Sequence, residues 1–317
     1  MLKHGLMPPS GALEKNNFNT HSKTGERQDV RGMSCLKLSE MKIGIDLGGT
    51  NIRVGLVENG SLVRKEVVTC PSKATYEEVL GRLEGLIDRV MCPEVAGIGV
   101  GVPSVVDSEE GIVYNVANIP SWTEVPLKRL LQERFSVPVY INNDSNCFAL
   151  GVKLFGEGRK YRNLVGMTIG TGVGTGIIIN GELYSGQNTG AGEIGSLPYL
   201  SHDFEHYCSS GFFVRYYNLT GKEAAEKAAT GDAKTMEIWS VFGSHIGELM
   251  KAVLFTYDPE VIVIGGGISS AFTYYKHSMY QAMQAFPYTE TVKRVKIFVT
   301  EIEDVALLGA SALVGKH

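Results

Sequence analysis

The 317-residue chain carries 30 Lys and Arg against 34 Asp and Glu, a formal net charge of −4, with 44% hydrophobic and 20% charged residues. This is the composition of a soluble globular protein long enough for two domains, and without a large basic block it excludes nucleic acid or an anionic membrane surface as the partner. No apolar run approaches membrane-spanning length and no secretory leader opens the chain, so a cytoplasmic location is expected.

Residues 1–40 show no sustained periodicity and contain Pro8-Pro9, Gly11 and adjacent asparagines. They read as a flexible extension, with Met33 and Met41 as alternative functional starts, and lack the two patterned helices of a DNA-binding helix-turn-helix. From Lys42 the pattern changes. Ile43, Ile45 and Leu47 alternate, Gly48-Gly49 intervenes, Ile52, Val54 and Leu56 alternate, and Asn59-Gly60 leads into another apolar run. Period-two alternation broken by glycine turns predicts a three-stranded antiparallel meander. Val79, Leu80, Leu83, Leu86, Ile87 and Val90 lie at helical spacing, and 95–102 returns to strand. Pro126 opens a helix through Leu127, Leu130, Leu131 and Phe135. A strand over 137–141 then runs into Asn142-Asn143-Asp144, and a helix is expected over 145–154.

Shifted by 121 positions without a gap, the meander falls on a second one: Gly49-Thr50 on Gly170-Thr171, Gly55 on Gly176, Asn59-Gly60 on Asn180-Gly181, Leu62 on Leu183. This internal repeat predicts one meander in each of two domains. Further on, a long helix over 234–257 places Met236, Trp239, Phe242, Ile246, Leu249, Val253 and Leu254 on its buried side, and Asp258-Pro259 closes it. A strand over 261–264 meets Gly265-Gly266-Gly267, and the chain finishes with a strand over 295–299 and a helix over about 304–314. The expected organisation is a small α/β domain over 41–150, a large α/β domain over 151–302, and the terminal segment 303–317 returning to the first.

Several clusters are suited to phosphate and polyol chemistry. In Asp46-Leu47-Gly48-Gly49-Thr50-Asn51 the glycines allow backbone N–H groups to approach a phosphate, and Asp46 can hold Mg²⁺ directly or through water. Gly170-Thr171-Gly172-Val173-Gly174-Thr175-Gly176 strips one strand face of side chains, which a diphosphate lying there would explain. Neither run is a P-loop, and Gly176 leads into Ile177-Ile178-Ile179 rather than a helix, which speaks against a dinucleotide fold. Gly265-Gly266-Gly267 offers bare backbone to a flat ring, or is a tight strand-to-helix turn. Asp144 stands where a general base for an acceptor hydroxyl is needed, although Asn143 or Asp144 can equally be a helix N-cap. Glu193, flanked by Gly190, Ala191, Gly192 and Gly195, is either a sugar-binding carboxylate or part of a mobile surface loop. His202, His206 and Cys208 lack a nearby fourth ligand and make a weak zinc site. The five cysteines, Cys35, Cys70, Cys92, Cys147 and Cys208, are widely spaced and fit reduced thiols rather than a disulfide framework.

Taken in order, Asp46–Asn51, Gly101-Val102-Pro103 with Asp107, Asn118–Trp122, Asn143–Asn146, Gly170–Gly176, Ala191–Gly195 and Gly265–Ser269 resemble the ROK family. These are bacterial sugar kinases and sugar-responsive repressors of the sugar kinase, actin and heat-shock-70 superfamily. The resemblance covers residues 41–317. It implies two ribonuclease-H-like domains in an actin-like ATPase fold with a cleft between them. It also implies ATP and Mg²⁺ as cofactors, phosphoryl transfer to a hexose hydroxyl, usually at C6, and a homodimer. By the same resemblance Asp144 is the catalytic base, and Ser104, Asn118, Asn143, Asp144, Glu193 and Ser196 face the sugar. Gly48, Gly49, Thr50, Asn51, Gly170, Thr171 and Gly172 contact phosphate, Gly266 and Gly267 the nucleoside, and Asp46 the metal.

Two departures stand out. Ser196 replaces a histidine that in many members touches the sugar and ligates zinc, and the zinc-binding cysteine cluster shrinks to His206-Tyr207-Cys208-Ser209-Ser210-Gly211, with the glutamate that follows it missing from its place. Zinc is therefore not expected. Glucose, allose, mannose and an N-acetylhexosamine all remain open as substrates. A sugar sensor without turnover is the alternative function.

Overall fold

The computed structural model describes residues 40–48, 50–116 and 118–315; the expected extension, up to Ser39, lies outside them. The chain opens with β1 (Met41–Leu47), β2 (Asn51–Glu58) and β3 (Ser61–Thr69), the expected meander. Asn59 and Gly60 turn the second hairpin at φ +50° and +80°, and Asn180 and Gly181 do the same in the second meander at +55° and +92°. This is left-handed backbone that Asn-Gly adopts at little cost. Helix α1 (Tyr76–Val90) starts at a capping box between Thr75 and Glu78 and buries Val79, Leu83, Leu86, Ile87 and Val90. Strand β4 (Val95–Val102) follows, then a small three-stranded sheet of β5 (Val106–Asp107), β6 (Ile112–Tyr114) and β7 (Glu124–Val125). Helix α2 (Leu127–Phe135), β8 (Val139–Asn143) and α3 (Asp144–Leu154) complete the first half.

The second half begins with β9 (Leu164–Ile169), β10 (Val173–Ile179) and β11 (Glu182–Tyr184). A short ladder of β12 (Pro198–Tyr199) and β13 (His202–Asp203) leads to α4 (Phe204–Cys208), α5 (Gly211–Tyr217) and α6 (Gly221–Ala229). Helix α7 (Ala233–Tyr257) is capped by Asp232 and ends at Asp258, whose φ is +40°. Trp239, Phe242, Ile246, Leu249, Val253 and Leu254 are buried as the spacing predicts, but Met236 is 40% exposed. The buried stripe runs through Thr235, Ile238, Trp239 and Phe242 from the first turn on, and Met236 lies off it. Strand β14 (Val261–Gly265), α8 (Phe272–Met283), α9 (Thr289–Arg294), β15 (Lys296–Val299) and α10 (Val305–Ser311) finish the chain. No helix among the described residues is long and apolar enough to cross a membrane.

The repeat extends well beyond the meanders. One five-stranded sheet runs β3-β2-β1-β4-β8 and the other β11-β10-β9-β14-β15, each with an antiparallel meander followed by parallel strands. One detail differs from the ungapped alignment. Val57 pairs with Leu62 as Ile178 does with Leu183, so a shift of 121 holds there. But Leu47 pairs with Ile52 across four residues, whereas Ile169 pairs with Val173 across three. The second loop is one residue shorter, so the structural counterpart of Asp46 is Thr168, which pairs with Gly174 as Asp46 pairs with Arg53, and not Met167.

Two helices are exchanged between the halves. Helix α3 follows the last strand of the first sheet yet packs on β9 and β10, while α10 follows the last strand of the second sheet and lies on β1 and β4. They meet where side chains are absent. A Cβ at Gly309 would lie 1.8 Å from the Cys147 carbonyl oxygen, and one at Gly151 would lie 2.1 Å from that of Val305. Gly44 and Gly99 admit α10 to the first sheet in the same way. The sheets keep separate apolar cores: Ile43, Val54, Leu83 and Trp122 lie in one, Trp239, Phe242 and Tyr275 in the other.

Candidate active site

The helix exchange leaves a cleft of 1410 Å³ over the ends of both sheets. Asp46, Gly48, Thr50, Asn51, Ser104, Asn118, Asn143, Asp144, Gly170, Thr171, Gly172, Glu193, Gly266 and Gly267 all line it. Of the residues expected at the site, Gly49 lies outside the described residues, and Ser196 is not in the lining. Ser196 ends a short 3-10 turn, Ile194–Ser196, and is exposed elsewhere.

The cap question at the head of α3 is settled by hydrogen bonds. Asn143 is the N-cap: its Oδ1 accepts from the N–H groups of Ser145, 2.9 Å, and Asn146, 3.3 Å. Its amide nitrogen donates one of its two hydrogens to the Ser104 carbonyl at 3.3 Å, which ties the side chain to the cleft wall and leaves the second N–H open. Asp144 is thereby left in the first turn, facing the cleft. Its Oδ1 accepts from the Ser145 N–H at 2.7 Å and from the Ser145 hydroxyl at 3.3 Å. Burial and the nearby Asp46 carboxylate outweigh those bonds and push its pKa up to about 7. A carboxyl that titrates near working pH is suited to take a proton from an alcohol.

Asp46, at the end of β1, receives Nη1 of Arg53 on its Oδ2 at 2.7 Å. Burial raises its pKa, and Arg53 offsets this only in part. Between the two aspartates runs β4, whose Gly101 pairs with Asp46. A Cβ there would meet the Cys147 Sγ at 3.1 Å, so the missing side chain lets the first turn of α3 lie close on β4.

The two glycine loops have different jobs along their length. In the first, the Gly48 N–H is tied to the Asn51 carbonyl at 2.9 Å, and Thr50 is exposed to the cleft. In the second, Gly170, Thr171 and Gly172 reach the cleft, but the alternation beyond them serves packing. A Cβ at Gly174 would sit 2.0 Å from the Ser145 hydroxyl, and one at Gly176 would sit 2.3 Å from the Ser145 carbonyl. The bare strand face is thus covered by α3, which corrects the expectation that a diphosphate lies along it. Gly266 has φ +88°, and a Cβ would meet the Ile169 carbonyl at 2.5 Å, so it is a tight strand-to-helix turn. Gly267 faces open space. The tight-turn reading thus holds at Gly266, while Gly267 presents bare backbone to the cleft.

Sequence patterns did not single out Arg53, Lys65, Thr168 or Glu205, all of which line the cleft. The signal for Arg53 is its register, directly across the hairpin from Asp46. Glu205 corrects the expected loss of an acidic group. It lies three residues before Cys208, its Oε2 accepts from the Val173 N–H at 3.0 Å, and its charge adds to burial in raising the Glu193 pKa. Around it, the His202 and His206 rings stack with centroids 3.8 Å apart, and Cys208 is fully buried. No group of three or more His, Cys, Asp or Glu able to hold a metal ion occurs among the described residues.

A family model described as the ROK family matches residues 42–317. The chain belongs to the ROK family. Among curated relatives, the glucokinase of Thermotoga maritima is 28% identical over 309 residues, covering 86% of this chain and 96% of that protein. The N-acetyl-D-glucosamine kinase of Yersinia pseudotuberculosis is 30% identical over 259 residues, covering 73% and 84%. A ROK family glucokinase from Streptomyces griseus, solved in complex with glucose and AMPPNP, superposes with a TM-score of 0.77 at 24% identity, over 86% of this chain and 99% of that one. The fold is the actin-like ATPase fold of ROK sugar kinases, as expected.

Proposed function

We propose that this ROK protein is an ATP-dependent sugar kinase that phosphorylates a hydroxyl of an aldohexose or N-acetylhexosamine, at C6. The observation that carries the reading is the Asp144 carboxyl, with a pKa near neutrality, set between two glycine loops at the ends of matched sheets. The glucokinase and N-acetyl-D-glucosamine kinase likeness supports the substrate class.

In this mechanism the sugar lies against Asn118, Glu193 and Glu205, with its hydroxyl at Asp144. Asp144 accepts the hydroxyl proton as the oxygen forms a bond to the γ-phosphorus and the bond from that phosphorus to the β–γ bridging oxygen breaks, leaving ADP. Backbone N–H groups of the two loops stabilise charge on the transferring group. Burial raises the pKa of both Asp46 and Asp144, and the Asp46 charge adds to the rise at Asp144, so a divalent cation arriving with the nucleotide would relieve the strain of two buried carboxylates. Asp46 would hold it, and it would supply charge neutralisation to the phosphates. Ser104 and Asn143 line the same wall, the Ser104 hydroxyl donating to the Tyr114 carbonyl and keeping its oxygen lone pairs for a sugar hydroxyl.

The test is ADP release from MgATP across a panel of aldohexoses, fructose and N-acetylhexosamines. Turnover with one sugar that disappears in Asp144→Asn is the expected result. Silence across the panel together with a sugar-induced rise in melting temperature would replace the kinase by a sensor.

A further inference from the structure

Glu193 lines the cleft from the loop between β11 and β12, and that loop is anchored to both halves of the chain. On the side of the second sheet, the Gly192 carbonyl accepts from the Thr175 hydroxyl of β10, and a Cβ at Gly192 would meet the Thr175 carbonyl at 2.4 Å. Thr189 crosses to the first half. Its hydroxyl accepts from the Val106 N–H of β5 at 2.9 Å and donates to the Val106 carbonyl at 3.2 Å, while its own carbonyl accepts from Nδ2 of Asn146 at 3.3 Å. Strand β5 is the edge of its small sheet, and the groups on either side of Val106 are turned toward β6: the Val105 carbonyl takes the Tyr114 N–H, and the Asp107 carbonyl takes that of Gly111. The Thr189 hydroxyl therefore stands where a further strand would pair, and satisfies the open edge with one side chain. It does so at φ +55° and 2% exposure. A β-branched residue in left-handed backbone is an outlier that persists only where its surroundings hold it. Glycine would take the same backbone at less cost, but would leave the Val106 N–H and carbonyl without this partner.

We infer that Thr189 is a positioning residue for the sugar: its hydroxyl pins the Glu193 loop to the wall that carries Ser104, and so holds Glu193 at a set reach from Asp144 before any sugar arrives. This rests on the kinase reading and deepens it. Ser104 lies two residues before Val106, and Glu193 directly follows the Gly192 anchor, so the two bonds to Val106 tie together the opposite sides of the sugar-binding region. Without the hydroxyl, the loop would have to be ordered when the sugar binds, and that cost would be subtracted from affinity.

The experiment compares the full-length wild type with Thr189→Val, Thr189→Gly and Thr189→Ser. Glucose, N-acetylglucosamine and ADP are titrated calorimetrically, alongside steady-state kinetics, melting temperatures and amide hydrogen exchange. Valine keeps the branch and the volume without the hydroxyl, glycine suits the backbone without it, and serine keeps it. Thr189→Val and Thr189→Gly should each raise sugar Kd and KM about tenfold, the weakening of one charge-assisted contact. The change in kcat should be smaller, ADP Kd should stay within about twofold of wild type, and the Val106 amide should exchange faster. Thr189→Ser should recover most of the loss. A glycine variant that binds sugar as wild type does would overturn the proposal, since the position would then need only its backbone. So would a loss of sugar affinity that runs in step with ADP affinity and melting temperature and is not recovered by serine, because that marks a merely structural role. A wild-type chain that binds neither sugar would sink the kinase reading, and exchange would still decide the latch: equal protection of the Val106 amide in wild type and Thr189→Val would overturn it.

Discussion

Asn143 caps the helix that Asp144 begins: the Asn143 Oδ1 takes the N–H groups of Ser145 and Asn146, and Asp144 is left holding only Ser145. Of two adjacent polar residues at a strand end, one thus closes the helix and the other, the proposed base, faces the cleft. Removing the proposed base has a defined signature. Asp144→Asn should lower kcat by more than about 10²-fold, within the range of a positioned proton acceptor, while sugar affinity stays near wild type. Steady-state kinetics with isothermal sugar titration separates the two, and near-normal turnover would strip Asp144 of its role.

The helix cap can be tested separately. Asn143→Ala should cost about 1 kcal/mol of stability through loss of the cap, and Asn143→Ser should restore much of it. Equal losses for both in denaturant unfolding would shift the explanation to the Asn143 contact with the Ser104 carbonyl.

The raised pKa of Asp144 has two pH consequences. With a value of about 7, kcat/KM should fall on the acid side of neutrality as the base becomes protonated. Stability moves the other way. Between the ordinary carboxyl value of 3.8 and about 7 the folded chain keeps a proton that the unfolded chain releases. Native protein therefore binds more protons, and rising pH destabilises it through this group, by at most about 1.4 kcal/mol per pH unit. The stability advantage of Asp144→Asn over wild type should accordingly grow from pH 4 to pH 7 and then level off. A difference that is flat across that window would mean that the carboxyl is not held above its usual range.

Glycine substitutions should divide by neighbour. Gly309→Ala places a Cβ 1.8 Å from the Cys147 carbonyl, where two helix backbones cross, and should cost about 1–3 kcal/mol or more. Gly81→Ala, on the exposed side of α1 with nothing within 4 Å, should stabilise by about 0.5–1 kcal/mol. Chemical denaturation of both variants checks the sign of each.

Glu205 offers a test of the acidic wall. Glu205→Ala unpairs the Val173 N–H and removes the charge beside Glu193, so sugar KM should rise by about tenfold with a smaller change in kcat. An unchanged KM would confine Glu205 to supporting the second loop.

How far the sequence reached depends on the range of the interaction involved. Both Asn-Gly hairpins, the meanders and the carboxylate at Asp144 were legible because their causes lie within a few residues: alternation, turn chemistry, a strand running into a cap. The repeat gave the duplicated meander, while the matching parallel strands beyond it share no sequence pattern and emerged only from the sheet order. Arg53 was not legible, since its meaning comes from the residue across the hairpin, and the one-residue difference between the loops is invisible to an ungapped alignment. Gly174 and Gly176 misled because a helix pressing on a strand and a ligand lying on it both demand a missing side chain. Glu205 was overlooked because it precedes Cys208, whereas a glutamate was sought after it.

The exchange of α3 and α10 between the two sheets bears on how this chain can be cut or rebuilt. Each half ends in a helix that packs chiefly on the other, so a fragment stopping after Leu154 would carry a helix stripped of its main contacts, with β9 and β10, and a sheet without the cover α10 provides. A protein that looks like two tandem copies is in this sense interlocked, and a chain shortened before α10 would lose cover on β1, β4 and β2, the far end of the molecule in sequence.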